Sequence, residues 1–324
     1  MRPFESFMAQ KLNQYLVYRK HLDYADNGAS SALLAFDQYL TNQDADWQSL
    51  QPLFFLELRE KINKRSRTVN TILSVLHTFF QYLVRRGLCP QNPLTDVPPL
   101  PETYFVPFVF FPEQIERLLS AACKRIRKSE KHFLTDMATY VAIVLLARCG
   151  MRIKEPLRAL RRHYRSDEAT LYVEKTKFRK DRLVPVPKIA LAEIENYLTV
   201  RSSLCANDKS PYLLAGKNQK GLRDDQVRFA FHRAVSDLGL HRPKQIVGNM
   251  TFGAPTPHSL RHSFAINTLK RIKEQGKSPQ NALPVLAAYM GHRKYHYTAA
   301  YLKVSDAKHL AGLIDFAKSQ LEAV

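Results

Sequence analysis

Pro90-Gln-Asn-Pro-Leu-Thr-Asp-Val-Pro-Pro-Leu-Pro-Glu-Thr-Tyr-Phe-Val-Pro-Phe-Val-Phe-Phe-Pro112 divides the chain in two. Each of its seven prolines, at 90, 93, 98, 99, 101, 107 and 112, fixes φ and lacks an amide donor. Such a segment cannot be a helix interior and should run extended. Residues 98–112 are therefore expected to link a domain of residues 1–97 to one of residues 113–324. A length of 324 residues suits two domains better than one.

Upstream of the prolines the pattern is helical. Val69, Ile72, Leu73, Leu76, Phe79, Phe80 and Leu83 recur at i, i+3, i+4, i+7, which places them on one helical face. Thr68 is the expected cap of that helix, and Gly87 with Pro90 marks its end. Amphipathic pieces at 7–20, 30–40 and 53–63 complete a domain of about four helices.

Downstream the pattern is mixed. Pro112-Glu113 opens a helix carrying Ile115, Leu118, Leu119 and Ala122, and a more uniformly apolar helix follows at 137–147. Thr170-Leu-Tyr-Val-Glu174 and Arg182-Leu-Val-Pro-Val186 are short β-type runs, joined by the charged turn Lys175-Thr-Lys-Phe-Arg-Lys-Asp181. Helices resume at 190–203, 225–238, 258–273 and 283–289. A last amphipathic segment at 307–321 carries Leu310, Leu313, Ile314 and Ala317. The expected fold is mainly α, its second domain mostly helical around a small antiparallel sheet.

Composition narrows the function. The chain is 45% hydrophobic and 24% charged, the balance of a globular protein with real cores. Its longest apolar run, 138–147, is about half the ~20 residues that span a bilayer, and the N-terminus lacks the apolar stretch of a secretory signal. Cys89, Cys123, Cys149 and Cys205 form no metal-binding cluster and read as reduced thiols of a cytoplasmic protein. Net charge is +20, unevenly placed: residues 1–100 hold 11 basic and 9 acidic side chains, residues 101–324 hold 38 and 20. Such a field attracts polyanions, nucleic acid above all, to the second domain.

Four segments carry the candidate chemistry. They are Ala147-Arg-Cys-Gly-Met-Arg-Ile-Lys-Glu155, the turn holding Lys177 eight residues before Pro185, His258-Ser-Leu-Arg-His262, and Gly291-His292 followed nine residues later by Tyr301. In order and spacing they resemble the tyrosine recombinase (phage integrase) family, over nearly the whole chain. That family shows G-[LM]-R-x-x-E, a turn lysine before a V-P-[LV] strand, H-x-x-R-H, then G-H and a tyrosine nine residues on. The matching residues here are Gly150-Met-Arg152 with Glu155, Lys177 before Leu183-Val-Pro-Val186, His258 with Arg261-His262, and Gly291-His292 with Tyr301. The resemblance implies a SAM-like helical core-binding domain joined to a catalytic domain of the DNA breaking-rejoining fold. It also implies a 3′-phosphotyrosine intermediate with a free 5′-hydroxyl, formed without cofactor, metal or ATP. Relatives act as tetramers on duplex DNA with paired, inverted half-sites, some with accessory DNA-bending proteins, in the prokaryotic nucleoid.

Phosphodiester transfer explains these residue types. A tyrosine oxygen, with an ordinary pKa of ~10, must be positioned and deprotonated in the transition state. Arg152 and Arg261 suit the non-bridging oxygens, because a guanidinium makes paired charge-assisted bonds that an ammonium cannot. Lys177 suits the general acid for the departing 5′-oxygen, with Lys175 its competitor in the same turn. His258 and His292 supply imidazoles near neutral pH. Glu155, three residues after Arg152, can orient that guanidinium. Pro156 places the start of a helix close to Glu155. His262 reads as a satisfied structural histidine.

Lys64, Arg65, Arg67, Arg158, Arg179 and Lys180 are candidate DNA contacts, with Arg161, Arg162, Arg165, Arg223 and Arg228 behind them. The segment 307–321 packs either on its own domain or on a neighbouring subunit. A topoisomerase of type IB shares this chemistry, and a DNA-binding regulator would lack part of it; all six catalytic positions are filled here.

Overall fold

The computed structural model describes residues 2–24, 26, 28–174, 181–205, 207–247, 250–292, 298–299 and 301–302. The chain forms two compact units, Met1–Thr103 and Tyr104–Val324. Lys177, Arg179, Lys180 and the segment 307–321 lie outside the described residues.

The first unit contains α1 (Ala9–His21), α2 (Ala29–Asn42), α3 (Pro52–Lys61) and α4 (Ser66–Arg85). Val69, Ile72, Leu73, Leu76, Phe79, Phe80 and Leu83 of α4 are all buried. They pack with Leu33, Phe36, Phe55 and Leu58 into one core. Each such side chain removed from water contributes ~1.5–3 kcal/mol before entropy is counted. The start of α4 differs from the expectation. Arg65 takes the extended cap position, and the Thr68 amide already donates to its carbonyl at 2.8 Å. Thr68 is therefore inside the first turn rather than its cap. Gly87, at φ +68°, follows the helix end.

The second unit is built around α6 (Phe133–Arg148), whose residues from Ala138 to Ala147 are all buried. An apolar helix without a polar face must be covered all round. It packs against α5 (Pro112–Lys124), α8 (Lys188–Leu204), α9 (Asp224–Asp237) and α10 (Pro257–Glu274). Among the described residues no helix is long and apolar enough to cross a membrane.

Two small sheets flank these helices. Strands β3 (Thr170–Val173) and β4 (Arg182–Pro185) form the expected antiparallel pair, and β2 (Tyr164–Arg165), which the sequence did not signal, adds antiparallel to β3. The second sheet has no counterpart in the sequence reading. In it β1 (Tyr104–Val106) pairs in parallel with β6 (Met250–Phe252), and β6 pairs antiparallel with β5 (Gln245–Val247). Its three-residue strands are too short to show alternation.

The boundary of the units, between Thr103 and Tyr104, falls inside the 98–112 segment, so residues 104–112 belong to the second unit. Phe110 explains why. Its amide donates to Ser263 Oγ at 2.8 Å, and its carbonyl accepts from Asn267 Nδ2 at 3.2 Å, which fixes it to α10. All four cysteines are free.

Candidate active site

Gly150 ends the approach of α6 to the site. At φ +57° it occupies the left-handed region, and a Cβ there would meet Phe264 Cδ1 at 2.5 Å. Only glycine avoids both penalties. The chain then turns through Arg152 into α7 (Lys154–Arg158), a single turn with Glu155 and Pro156 at its start. On α10, Pro257 occupies the first turn and sets His258, Arg261 and His262 on one face at i, i+3 and i+4. Finally α11 (Pro279–Met290) closes on Gly291, again left-handed at φ +60°, and His292 follows.

The carboxyl end of α11 gathers the arginines. Arg261 donates from Nη1 to the Gly150 carbonyl at 2.7 Å and from Nη2 to the Met290 carbonyl. Arg152 donates from Nη2 to the Gly291 carbonyl at 3.0 Å and from Nη1 to Glu155 Oε1 at 3.0 Å. Helix ends leave such carbonyls unpaired and carry partial negative charge, which suits cations. Glu155 Oε2 also accepts the Arg152 amide at 2.8 Å.

Tyr301 lies in the same region, only 6% exposed, among Ala265, Leu269, Leu283, Leu286 and Met290. Its ring centroid is 5.6 Å from that of His262 and 6.0 Å from that of His292. His262 meets His258 edge-on at 4.6 Å. His292 Nδ1 and Thr298 Oγ1 are 2.7 Å apart, within hydrogen-bonding distance. Arg152, His258, Arg261, His292 and Tyr301 are thus brought together.

Burial and positive neighbours set the electrostatics. Burial first, then Arg261 and Arg152, pushes His258 down to about 4 and His292 likewise to about 4. Burial, then His258 and Arg261, pushes His262 to about 3. All three are neutral imidazoles at pH 7 in this state. Burial, then Arg152, lowers Arg261 to about 9, which leaves it cationic. Burial raises the Tyr301 phenol, with Arg261 and Arg152 pulling the other way. For Glu155 burial alone would raise the carboxyl, but the hydrogen bond and charge of Arg182 hold it below its ordinary value.

Arg182 was not singled out in the sequence. It donates to Glu155 through Nη1 at 3.1 Å and Nη2 at 2.9 Å, and through Nε to the Tyr289 carbonyl at 2.7 Å. The available signal was an arginine opening a strand three residues before Pro185. His262 also departs from the expectation. Among the described residues its buried Nδ1 has no hydrogen-bond partner, where a satisfied structural histidine would have one.

The candidate DNA contacts are scattered. Lys64, Arg65 and Arg67 are exposed at the start of α4, and Arg158 is exposed on α7. Several of the other cations are locally paired: Arg161 with Asp208, Arg165 with Glu168, Arg223 with Asp225 and Arg228 with Asp224.

The model of the phage integrase family matches residues 109–308. The chain is 28% identical to the Sinorhizobium fredii protein named integrase/recombinase y4rE, over 93% of each chain. It is also 28% identical to the tyrosine recombinase XerC of Alcanivorax borkumensis, over 94% of this chain and 92% of that one. Its fold is similar to that of a lambda integrase (75–356) dimer bound to a COC′ core site, with a TM-score of 0.63 and 17% identity over 88% of this chain and 95% of that one. The XerH recombinase bound to palindromic difH gives a TM-score of 0.63 and 16% identity over 89% and 79%. A match across most of the second unit, on a fold shared with these recombinases, places the chain in the phage integrase family, the tyrosine-type site-specific DNA recombinases.

Proposed function

We propose that this chain cleaves and rejoins DNA through Tyr301, as an integrase- or transposase-type recombinase. The observation that carries this reading is the meeting of Arg152 and Arg261 at the carboxyl end of α11, with Tyr301 beside His292. Two guanidiniums so held have donors left over for the non-bridging oxygens of a phosphate, each having five N–H groups.

Tyr301 Oη attacks the phosphorus, the bond from phosphorus to the 5′-oxygen breaks, and a 3′-phosphotyrosine forms. His258, neutral at pH 7, accepts the phenol proton once the charge of a bound phosphate offsets Arg261 and Arg152, which together with burial depress its basicity. Lys177 gives a proton to the departing 5′-oxygen. His292, tied to Thr298, braces the phosphate. Attack by a second 5′-hydroxyl reverses each transfer, so one phosphodiester replaces another and neither ATP nor a cofactor is consumed. Glu155 supports Arg152.

Residues 1–97 serve as a core-binding domain with Lys64, Arg65 and Arg67 on phosphates, and Arg158, Arg179 and Lys180 serve the catalytic domain likewise. Each domain binds duplex DNA carrying inverted half-sites, and four copies assemble across two duplexes. Solved structures of lambda integrase as a tetramer on a Holliday junction and of XerH on a palindromic site support this assembly.

The test is covalent trapping on nicked suicide duplexes selected from a randomised pool. The wild-type chain is expected to form an adduct, and Tyr301→Phe to bind without forming one. Retention of the adduct by Tyr301→Phe would overturn the assignment. Relaxation of supercoiled plasmid without exchange between two sites would make the chain a topoisomerase-like enzyme instead.

A further inference from the structure

Three successive carbonyls at the end of α11 each receive a different arginine. Tyr289 accepts from Arg182, Met290 from Arg261 and Gly291 from Arg152. Two of these arginines share one carboxylate. Glu155 gives both oxygens to Arg182 in a bidentate pair, and Oε1 also accepts a single bond from the Arg152 side chain. The Arg182 and Glu155 side chains are 9% and 8% exposed, whereas that of Arg152 is 24% exposed.

The division of labour follows from guanidinium geometry. A carboxylate binds the planar fork of an arginine best through two parallel bonds. Arg152 is three residues before Glu155 and already touches it, so it is the natural bidentate partner. Arg182 occupies that place. Arg152 is thereby limited to one side-chain bond with Glu155 and one with the Gly291 carbonyl, and its remaining donors stay outside these bonds. Gly291 accommodates the arrangement: a Cβ there would come within 3.2 Å of Arg182 Nη1.

We propose that Arg182 is a positioning residue for strand cleavage. By filling the bidentate face of Glu155 and the Tyr289 carbonyl, it keeps Glu155 from capturing Arg152 and leaves that guanidinium open to the scissile phosphate. The proposal rests on the reading that Arg152 holds the phosphate. It differs from a tether of β4 to α11 in one respect: without Arg182, Glu155 becomes an inhibitor of Arg152.

A double-variant cycle on the full-length chain separates the two. Arg182→Ala, Glu155→Gln and the combined variant are compared with wild type by the single-turnover rate of adduct formation on a trapped nicked duplex, at saturating DNA. Circular dichroism melts and adduct amplitude report the folded fraction. Arg182→Ala is expected to slow the rate by about 10- to 100-fold, and adding Glu155→Gln to restore about tenfold of it, an antagonistic coupling of the size contacting residues show. Arg182→Lys, which lacks the fork, should resemble Arg182→Ala. A wild-type rate in Arg182→Ala, a loss confined to amplitude, or a combined variant no faster than Arg182→Ala would overturn the proposal. Absence of any adduct with the wild-type chain would instead overturn the function on which it rests.

Discussion

Arg152 Nη2 donates to the Gly291 carbonyl at 3.0 Å, joining residues 139 positions apart in the chain. Through this bond the turn after α6 and the turn after α11 are one structure, with Arg152 and His292 on either side of it.

The guanidiniums should not tolerate lysine. Arg152→Lys and Arg261→Lys keep the charge but lose the paired donors, and each is expected to slow cleavage by ~10²–10³-fold, as loss of a transition-state donor does. DNA binding measured at fixed salt should fall far less. Arg261→Lys should also melt earlier, because the Gly150 and Met290 carbonyls are left in a buried place at a cost of ~1–3 kcal/mol each. Equal losses of binding and cleavage would contradict this division.

Two glycines in the same backbone region should respond differently. Gly87 and Gly150 both have positive φ, but a Cβ at Gly87 meets nothing within 4 Å while one at Gly150 strikes Phe264. Gly87→Ala is expected to cost ~1–2 kcal/mol, the left-handed penalty alone. Gly150→Ala should cost more than Gly87→Ala in urea unfolding, since the Phe264 ring must move as well. Similar midpoints for the two would show that the ring yields freely.

Acid should destabilise the protein earlier than its carboxylates alone dictate. His258, His262 and His292 have folded pKa values near 4, 3 and 4, against ~6.5 for an unfolded imidazole. Between about pH 6.5 and 4 the unfolded chain binds more protons, so stability falls as pH is lowered through that window. Glu155, held below its ordinary value, adds its own loss only at more acid pH. Thermal melts of the DNA-free protein should stay level from pH 8 to about pH 7 and decline from about pH 6.5 to pH 5, and a profile flat throughout would place these rings in solvent.

The core of the first unit should be sensitive to truncation. Leu76 is fully buried in α4, and Leu76→Ala is expected to cost ~2–5 kcal/mol in denaturant unfolding. An unchanged midpoint would mean that the apolar face of α4 is not packed.

Much of this was legible in the sequence because it is local. The face of α4 follows from 3.6-residue spacing, and the start of α7 follows from Pro156. The grip of Glu155 on Arg152 follows from a three-residue separation. What escaped is long-range. Arg182 reads as one cation among many until β4 is laid beside α11, 107 residues away. Strand β1 is three residues in a proline-rich stretch, and its partner β6 comes from residues 250–252. That His262 Nδ1 lacks a partner among the described residues depends on what packs around it, which no spacing reveals.

The most direct measurement is the site of attachment itself. Protein trapped on a nicked suicide duplex is digested with nuclease and protease, and the nucleotide-bearing peptide is sequenced by mass spectrometry. The nucleotide is expected on the phenol of Tyr301. Attachment to another tyrosine, such as Tyr289, or to no tyrosine at all, would contradict the account.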